Sequence, residues 1–352
     1  MTALDIEPIA RTEPELQTAI VESRVPLAPA VVAPPPPSLE ASKTPRSQRG
    51  RLQILSGVWL VTLVASMGLV MYGFGPFLQQ REQRLLLRDY RVKIDNAANE
   101  STGLGGVTVP TKAPDPGAPV GIVEIAPLKL QQVVVEGVQS SQTRIGPGHV
   151  PGTAGLGQPG NSVVVGRSHA FGGPFARLKS LHKGDEILVT TTQGQSVYEV
   201  DEVRADVSLS RTSGSDSGTS PIDGSDSGRD PNAIDTLYGA SSDDRLTLVT
   251  SSRVLPFNKS KGDIVIAKMK TEAFAPTPQG GRLSSETGLD GESGATASVI
   301  LTFLAYGIVM GASIMAFREL SARTAYLLAV PPILAVTIIT AETFSRLLPA
   351  WA

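Results

Sequence analysis

Three stretches of this sequence are too apolar, over too great a length, to be ordinary core elements of a soluble domain. Leu52 to Leu78 and Ala295 to Phe317 contain no charge, and Ala325 to Leu348 contains only Glu342 and Arg346, both near its end. At about 1.5 Å of rise per residue, each can cross the roughly 30 Å hydrocarbon core of a bilayer. All three are read as transmembrane helices, which makes the lipid bilayer a partner. The first is too long, and the tail before it too extended, for a cleaved signal peptide, so it is read as an uncleaved anchor. Residues 318–324 form a short turn carrying Arg318 and Arg323. A tight basic turn between two spans belongs on the cytoplasmic side. Three crossings then place the N-terminus in the cytoplasm and the segment between the first two spans outside. The basic clusters flanking the first span are of similar size and do not orient it by themselves.

Within the spans, Gly307 and Gly311 form a small-xxx-small pair that permits close helix approach. Packing against the chain's own other spans is the expected use, with self-association as the alternative. Pro331-Pro332 should kink the third span. Glu342, near the outer interface, has Arg346 four residues on as an expected ion-pair partner.

The rest divides by composition. Residues 1–51 are Ala/Pro/Glu-rich around Pro34–Pro37, which reads as a disordered cytoplasmic tail. Residues 79–118 read as a juxtamembrane helix followed by a Gly/Pro/Thr-rich linker. From 119 to 270 the pattern is short β-branched strands broken by Gly and Pro, clearest at 120–125, 133–138, 162–165, 186–192, 196–203, 245–250 and 263–267. Many short strands with little helix point to a small β-barrel or sandwich. Within them, residues 212–230 repeat GSDSG and read as a low-complexity loop insertion. Its Asp216, Asp223, Asp226 and Asp230 supply oxygen ligands, but their spacing matches no EF-hand loop, and no metal site is assigned. Residues 271–294 read as a polar linker.

With 0 Cys, the chain excludes disulfides and thiolate chemistry, and 3 His leave little for a His-rich metal site. A formal net charge of −2 offers no global attraction to nucleic acid. No cofactor is expected.

Four stretches, taken together, resemble a known family. VGIVEIAPLKLQQVVVEG (120–137), RIGPGHVPGTAGLGQPGNSVVVG (144–166), GGPFARLKSLHKGDEILV (172–189) and DRLTLVTS (244–251) occur in the order found in class E sortases. The resemblance covers roughly the middle two-fifths of the chain. It implies a mainly β fold, a sortase-like β-barrel, here with one N-terminal and two C-terminal transmembrane helices; the last two are an addition to the family's usual plan. It also implies thiol transpeptidation on a bacterial plasma membrane, with the barrel extracytoplasmic. In that chemistry a cysteine attacks the threonine carbonyl of a sorting signal, and an amine resolves the acyl-enzyme.

All three catalytic positions that the resemblance assigns are changed. Ser251 stands at the cysteine position. Counting back from Gly172-Gly173-Pro174-Phe175 puts Arg167 at the histidine position. The arginine expected near the last strand is absent, and Lys259 and Lys261 are the nearest cations. A serine hydroxyl needs a base to become a nucleophile, and a guanidinium is no base. His169, two residues past Arg167 and on its side of an extended chain, is the available displaced base. His149, in GPGHVPGT, is expected to be structural or to line the peptide groove, with Thr250 and Arg253 as further groove positions; His182 is expected in solvent. The leading expectation is a catalytically degenerate sortase-like protein that binds a sorting-signal-like peptide or serves as a scaffold for a membrane or cell-envelope partner. The alternative is an acyltransferase that uses Ser251. A third reading is a transport or sensor subunit organised by the last two helices.

Overall fold

The computed structural model describes residues 60–61, 63–100, 110–209, 233–252, 260–281, 286–292 and 294–351. The N-terminal tail, the 212–230 insertion with its four aspartates, and the groove and cation positions Arg253 and Lys259 lie outside the described residues.

Alternating β-branched segments close into a single eight-stranded barrel in the order β1-β2-β3-β4-β7-β8-β6-β5. The strands are β1 (Pro119–Ile125), β2 (Leu130–Glu136), β3 (Gly148–His149), β4 (Asn161–Val165), β5 (Glu186–Thr191), β6 (Gly194–Ser208), β7 (Arg245–Ser251) and β8 (Lys261–Met269). The two-residue β3 is too short to show any alternation, so the sequence gives no sign of it. It supplies the link between β2, which it pairs in parallel, and β4, which it pairs antiparallel. Closure leaves the barrel without a free edge. Val123, Val134, Val164, Leu246, Leu248 and Val265 fill the interior. Their neighbours Val163, Val165, Val249 and Ile264 point outward, yet they are buried in a second cluster with Leu289 and Trp351. β4 and β7 are thus covered on both faces, which is why β4 ends in three consecutive valines and every β7 residue after Arg245 is buried.

The segments around the barrel are docked on it. A helix runs through residues 63–68, a π-helical stretch (Leu69–Phe74) and α1 (Gly75–Glu100). Gln83 on α1 fixes it to the barrel. Its Oε1 accepts the Val133 N–H at 2.8 Å, and its Nε2 donates to the carbonyls of Val133 (3.2 Å) and Ile145 (2.8 Å). The side-chain amide thereby does for Val133 what a neighbouring strand would do. The 271–294 stretch, read as a linker, also has barrel partners: Phe274 N–H donates to the Gly157 carbonyl at 2.9 Å, and Leu289 is buried in the outer cluster.

The last two helices are α4 (Ala295–Glu319) and α5 (Ala322–Ser345), with a shorter turn between them than expected. Ile300, Leu301, Leu304 and Ile308 on α4 and Leu327, Leu328, Leu334 and Ile339 on α5 are exposed. So much contiguous apolar surface marks a membrane or protein contact, and both helices are long and apolar enough to cross a bilayer. Three expectations for this region are corrected. A Cβ at Gly307 or Gly311 would meet nothing within 4 Å, so neither glycine packs against the chain's own helices. Glu342 pairs with Arg144 from the barrel at 3.4 Å, not with Arg346. The third helix ends at Ser345, short of Leu348, because Pro349 cannot continue it, and residues 346–351 turn back onto the barrel.

Gln83→Leu should free α1 from the barrel. Leaving a buried N–H and two carbonyls unpaired costs about 1–3 kcal/mol. The Val133 amide should lose hydrogen-exchange protection before the interior strands do, and the unfolding temperature should fall.

Candidate functional site

β4 and β7 are parallel neighbours, in register from Asn161 opposite Arg245 to Val165 opposite Val249. Parallel strands end on the same side, so the residues after Val165 and Val249 arrive together. Two bonds extend the pairing past the ladder. Gly166 N–H donates to the Val249 carbonyl at 3.0 Å, and Thr250 Oγ1 donates to the Gly166 carbonyl at 2.8 Å. Arg167 and Ser251 therefore sit at adjacent strand ends, 0% and 2% exposed respectively. Thr250 is thus spent on holding the strands together.

Arg167 is an unusual occupant of such a place. Its Nη2 donates to the Ser140 carbonyl at 3.0 Å, from the short helix α2 (Ser140–Thr143), while Nε and Nη1 have no partner. Its guanidinium carbon lies 5.2 Å from the centre of the Phe171 ring, within cation–π range. Burial first, and then the nearby charge of Arg144, lower its pKa to about 9. That is still two units above neutrality, so the group stays protonated and cannot accept a proton. Phe171 holds its place under strain, with a left-handed backbone (φ 51°). The helix backbone lies directly against it: a Cβ at Gly75 would come within 3.0 Å of the Phe171 ring.

His169 is bonded to its neighbour Ser168. Its Nδ1 bonds Ser168 Oγ at 2.8 Å. Burial, and then the charge of Lys179, hold its pKa below the ordinary histidine value, so the ring is neutral near pH 7. His149 is a framework residue. Its Nδ1 meets Glu136 Oε2 at 2.8 Å, and its Nε2 lies 2.8 Å from the Ala154 carbonyl. A carbonyl only accepts, so Nε2 carries a proton. Thr153 Oγ1, 3.1 Å from the same nitrogen, gives its own proton to the Val150 carbonyl. The Glu136–His149–Thr153 series thus resembles a catalytic triad in distances but not in proton positions. Glu136 and His149 line a cleft of about 370 Å³ whose lining includes neither Arg167 nor Ser251. Lys261 lies 3.4 Å from the Asp206 carboxylate at the barrel surface.

The C-terminal segment, of which sequence reasoning assigned only the part up to Leu348 to the third span, completes the site. Ser140 Oγ donates to the Leu348 carbonyl. The Trp351 carbonyl receives two amides, from Ser168 at 3.1 Å and from Ser251 at 3.4 Å. The Trp351 side chain is wholly buried in the outer cluster and lies so close to β8 that a Cβ at Gly262 would fall 2.6 Å from its Cζ3. Pro349 marks where this segment leaves the helix, and that was the one available signal. Nothing in the sequence marks Ser140 or Ser168.

Residues 123–270 match the family model of the Sortase domain, and the barrel belongs to that family. Solved structures to which the chain is similar include a Clostridium perfringens Sortase D5 transpeptidase, at 20% identity and TM-score 0.40 over 54% of this chain and 99% of that one. Sortase E1 from Streptomyces coelicolor, solved with a tripeptide in its active site, has 20% identity and TM-score 0.33 over 47% of this chain and 94% of that one. Sortase E from Streptomyces avermitilis has 24% identity and TM-score 0.33 over 46% of this chain and 93% of that one. No curated protein matches the chain.

Two outcomes test this description. Arg167→Met should leave thermal stability unchanged or raise it, because removing a buried, poorly paired ion offsets the lost bond to Ser140. For His169, the folded pKa lies below the unfolded value near 6.5. Between the two, the unfolded chain binds the proton first, so this ring lowers stability as pH falls through that interval and costs nothing above it. Lys179→Ala should move the His169 titration part of the way back up, followed by NMR of labelled histidine, with the larger effect of burial remaining.

Proposed function

We propose that this chain is a sortase of the class E type that has lost its transfer chemistry and acts as a peptide-binding or scaffold subunit of a cell-envelope complex. It sits in a bacterial plasma membrane with its N-terminus cytoplasmic and its barrel extracytoplasmic. The observation that carries this reading is Arg167. The position aligned with the family's histidine holds a cation, sealed from solvent and protonated at neutral pH. It cannot serve the serine that replaces the cysteine. General-base assistance is worth about 10²–10⁴-fold, and a hydroxyl without it is a poor nucleophile. The peptide-binding role rests on sortases binding sorting-signal peptides. The scaffold role rests on the two added apolar helices.

A second reading is an acyltransferase with a serine nucleophile. The Ser168–His169 bond makes Ser168 a candidate for that part beside Ser251, since its hydroxyl lies against an imidazole whose pKa is lowered. One assay separates the readings. The full chain in lipid nanodiscs, as wild type and as Trp351→Ala, is mixed with sorting-signal peptides and an amine acceptor, and products are read by mass spectrometry. No transfer product is expected from either. Product that disappears in Ser251→Ala or in Ser168→Ala would replace the first reading with the second and name its nucleophile.

A further inference from the structure

We propose that residues 348–351 are an internal peptide ligand, seated in a binding site at the ends of β4 and β7, and that their departure opens this site to an apolar peptide supplied from outside. The inference deepens the peptide-binding reading above and rests on it.

The contacts are those of recognition rather than of a structural element. Residues 346–351 leave α5 and add no strand to the barrel. The segment is held by backbone carbonyls and by the buried side chains of Leu348 and Trp351. The Leu348 carbonyl takes the Ser140 hydroxyl, and the Trp351 carbonyl takes the amides of Ser168 and Ser251. Main-chain bonds to a ligand, with a pocket for a side chain, are how peptide-binding domains read their ligands, and here the backbone bends at Leu348 and turns at Ala350 and Trp351. The pocket is the outer cluster, where Trp351 packs with Val165, Leu209, Val249 and Ile264.

The location is also specific. Two amides from adjacent parallel strands converge on one carbonyl oxygen, beside the residues at the family's nucleophile and histidine positions. Arg167, Ser168 and Ser251 are all buried with the segment in place. The seat is imperfect, however. The Arg167 side chain, wholly buried, has two nitrogens without partners. Its one bonded nitrogen donates to the carbonyl of Ser140, the residue whose hydroxyl holds Leu348. An incoming peptide carrying a carboxylate or a further carbonyl here could satisfy donors that the internal segment leaves bare. The ligand class is therefore a peptide with a bulky apolar side chain where Trp351 lies and an acceptor within reach of Arg167.

Such a site binds in trans only in the fraction of molecules whose internal segment has left, so its apparent affinity is reduced by that fraction. The chain has 2 Trp, at 59 and 351, so Trp59→Phe leaves Trp351 as the only indole. The test uses the full chain in nanodiscs. The first arm adds a synthetic peptide copying residues 346–352 with Phe at the tryptophan position. Trp351 emission should shift to the red and become quenchable by acrylamide, with saturation, whereas a scrambled peptide should do neither. The second arm measures binding of a fluorescein-labelled copy of residues 346–352, which should be about ten-fold or more tighter to Trp351→Ala than to wild type. Equal binding to both would overturn the internal-ligand proposal and leave the peptide-binding reading standing. No binding to either, with Trp351 emission unmoved, would overturn both. If Trp351→Ala fails to show cooperative unfolding, the emission arm decides alone.

Discussion

The parallel pairing of β4 with β7 is the constraint on which the rest depends. Neither strand could form its ladder alone, and each is flanked on both faces by apolar clusters, so the register is fixed from both sides. A slip of one residue would exchange interior Val164 and Leu248 for outward Val165 and Val249. It would also separate Arg167 from Ser251 and move the two amides that now meet at the Trp351 carbonyl. The site is a consequence of register, extended past the ladder by the Gly166 and Thr250 bonds.

Around that point the molecule accepts electrostatic cost. Arg167 is buried with incomplete pairing, against an aromatic ring whose own backbone is strained. A second buried polar pair, Glu136–His149, has both imidazole nitrogens bonded, although Glu136 Oε1 has no partner, and it sits where β2 and β3 meet. The contrast is one of degree. An imidazole bonded at both nitrogens in a barrel wall reads as framework, whereas a cation with one of three nitrogens bonded at converging strand ends marks a place adapted to something other than stability.

The helices are part of the same arrangement. Val70, Met71, Ala170, Phe171, Ala341 and Leu348 share one cluster, so the helix before the barrel and the helix after it both pack on the loop that follows Arg167. Arg144 joins them again through Glu82 at 3.8 Å and Glu342 at 3.4 Å. The barrel is therefore held against these helices by the face that carries the site.

The sequence by itself determined the barrel and the apolar spans, because both are written in local periodicity and length. Strands 120–125, 186–191 and 245–251 are legible from alternation and turn residues alone. The identities at 167 and 251 were legible too, since motif order carries them without any geometry. Tertiary structure decided which groups meet. Glu342 pairs with Arg144, about two hundred residues away, in place of the nearby Arg346, because helix docking brings opposite charges together across the junction. His169 serves Ser168 because the loop turns at Phe171 instead of continuing extended. Gly307 and Gly311 lie open although their spacing permits close packing, because α4 turns another face to α5. Trp351 lies outside any periodic pattern, and only the three-dimensional fold brings its carbonyl to two amides from distant strands. Periodicity reports the environment of an element, and contacts between elements are set by packing that no single stretch of sequence encodes.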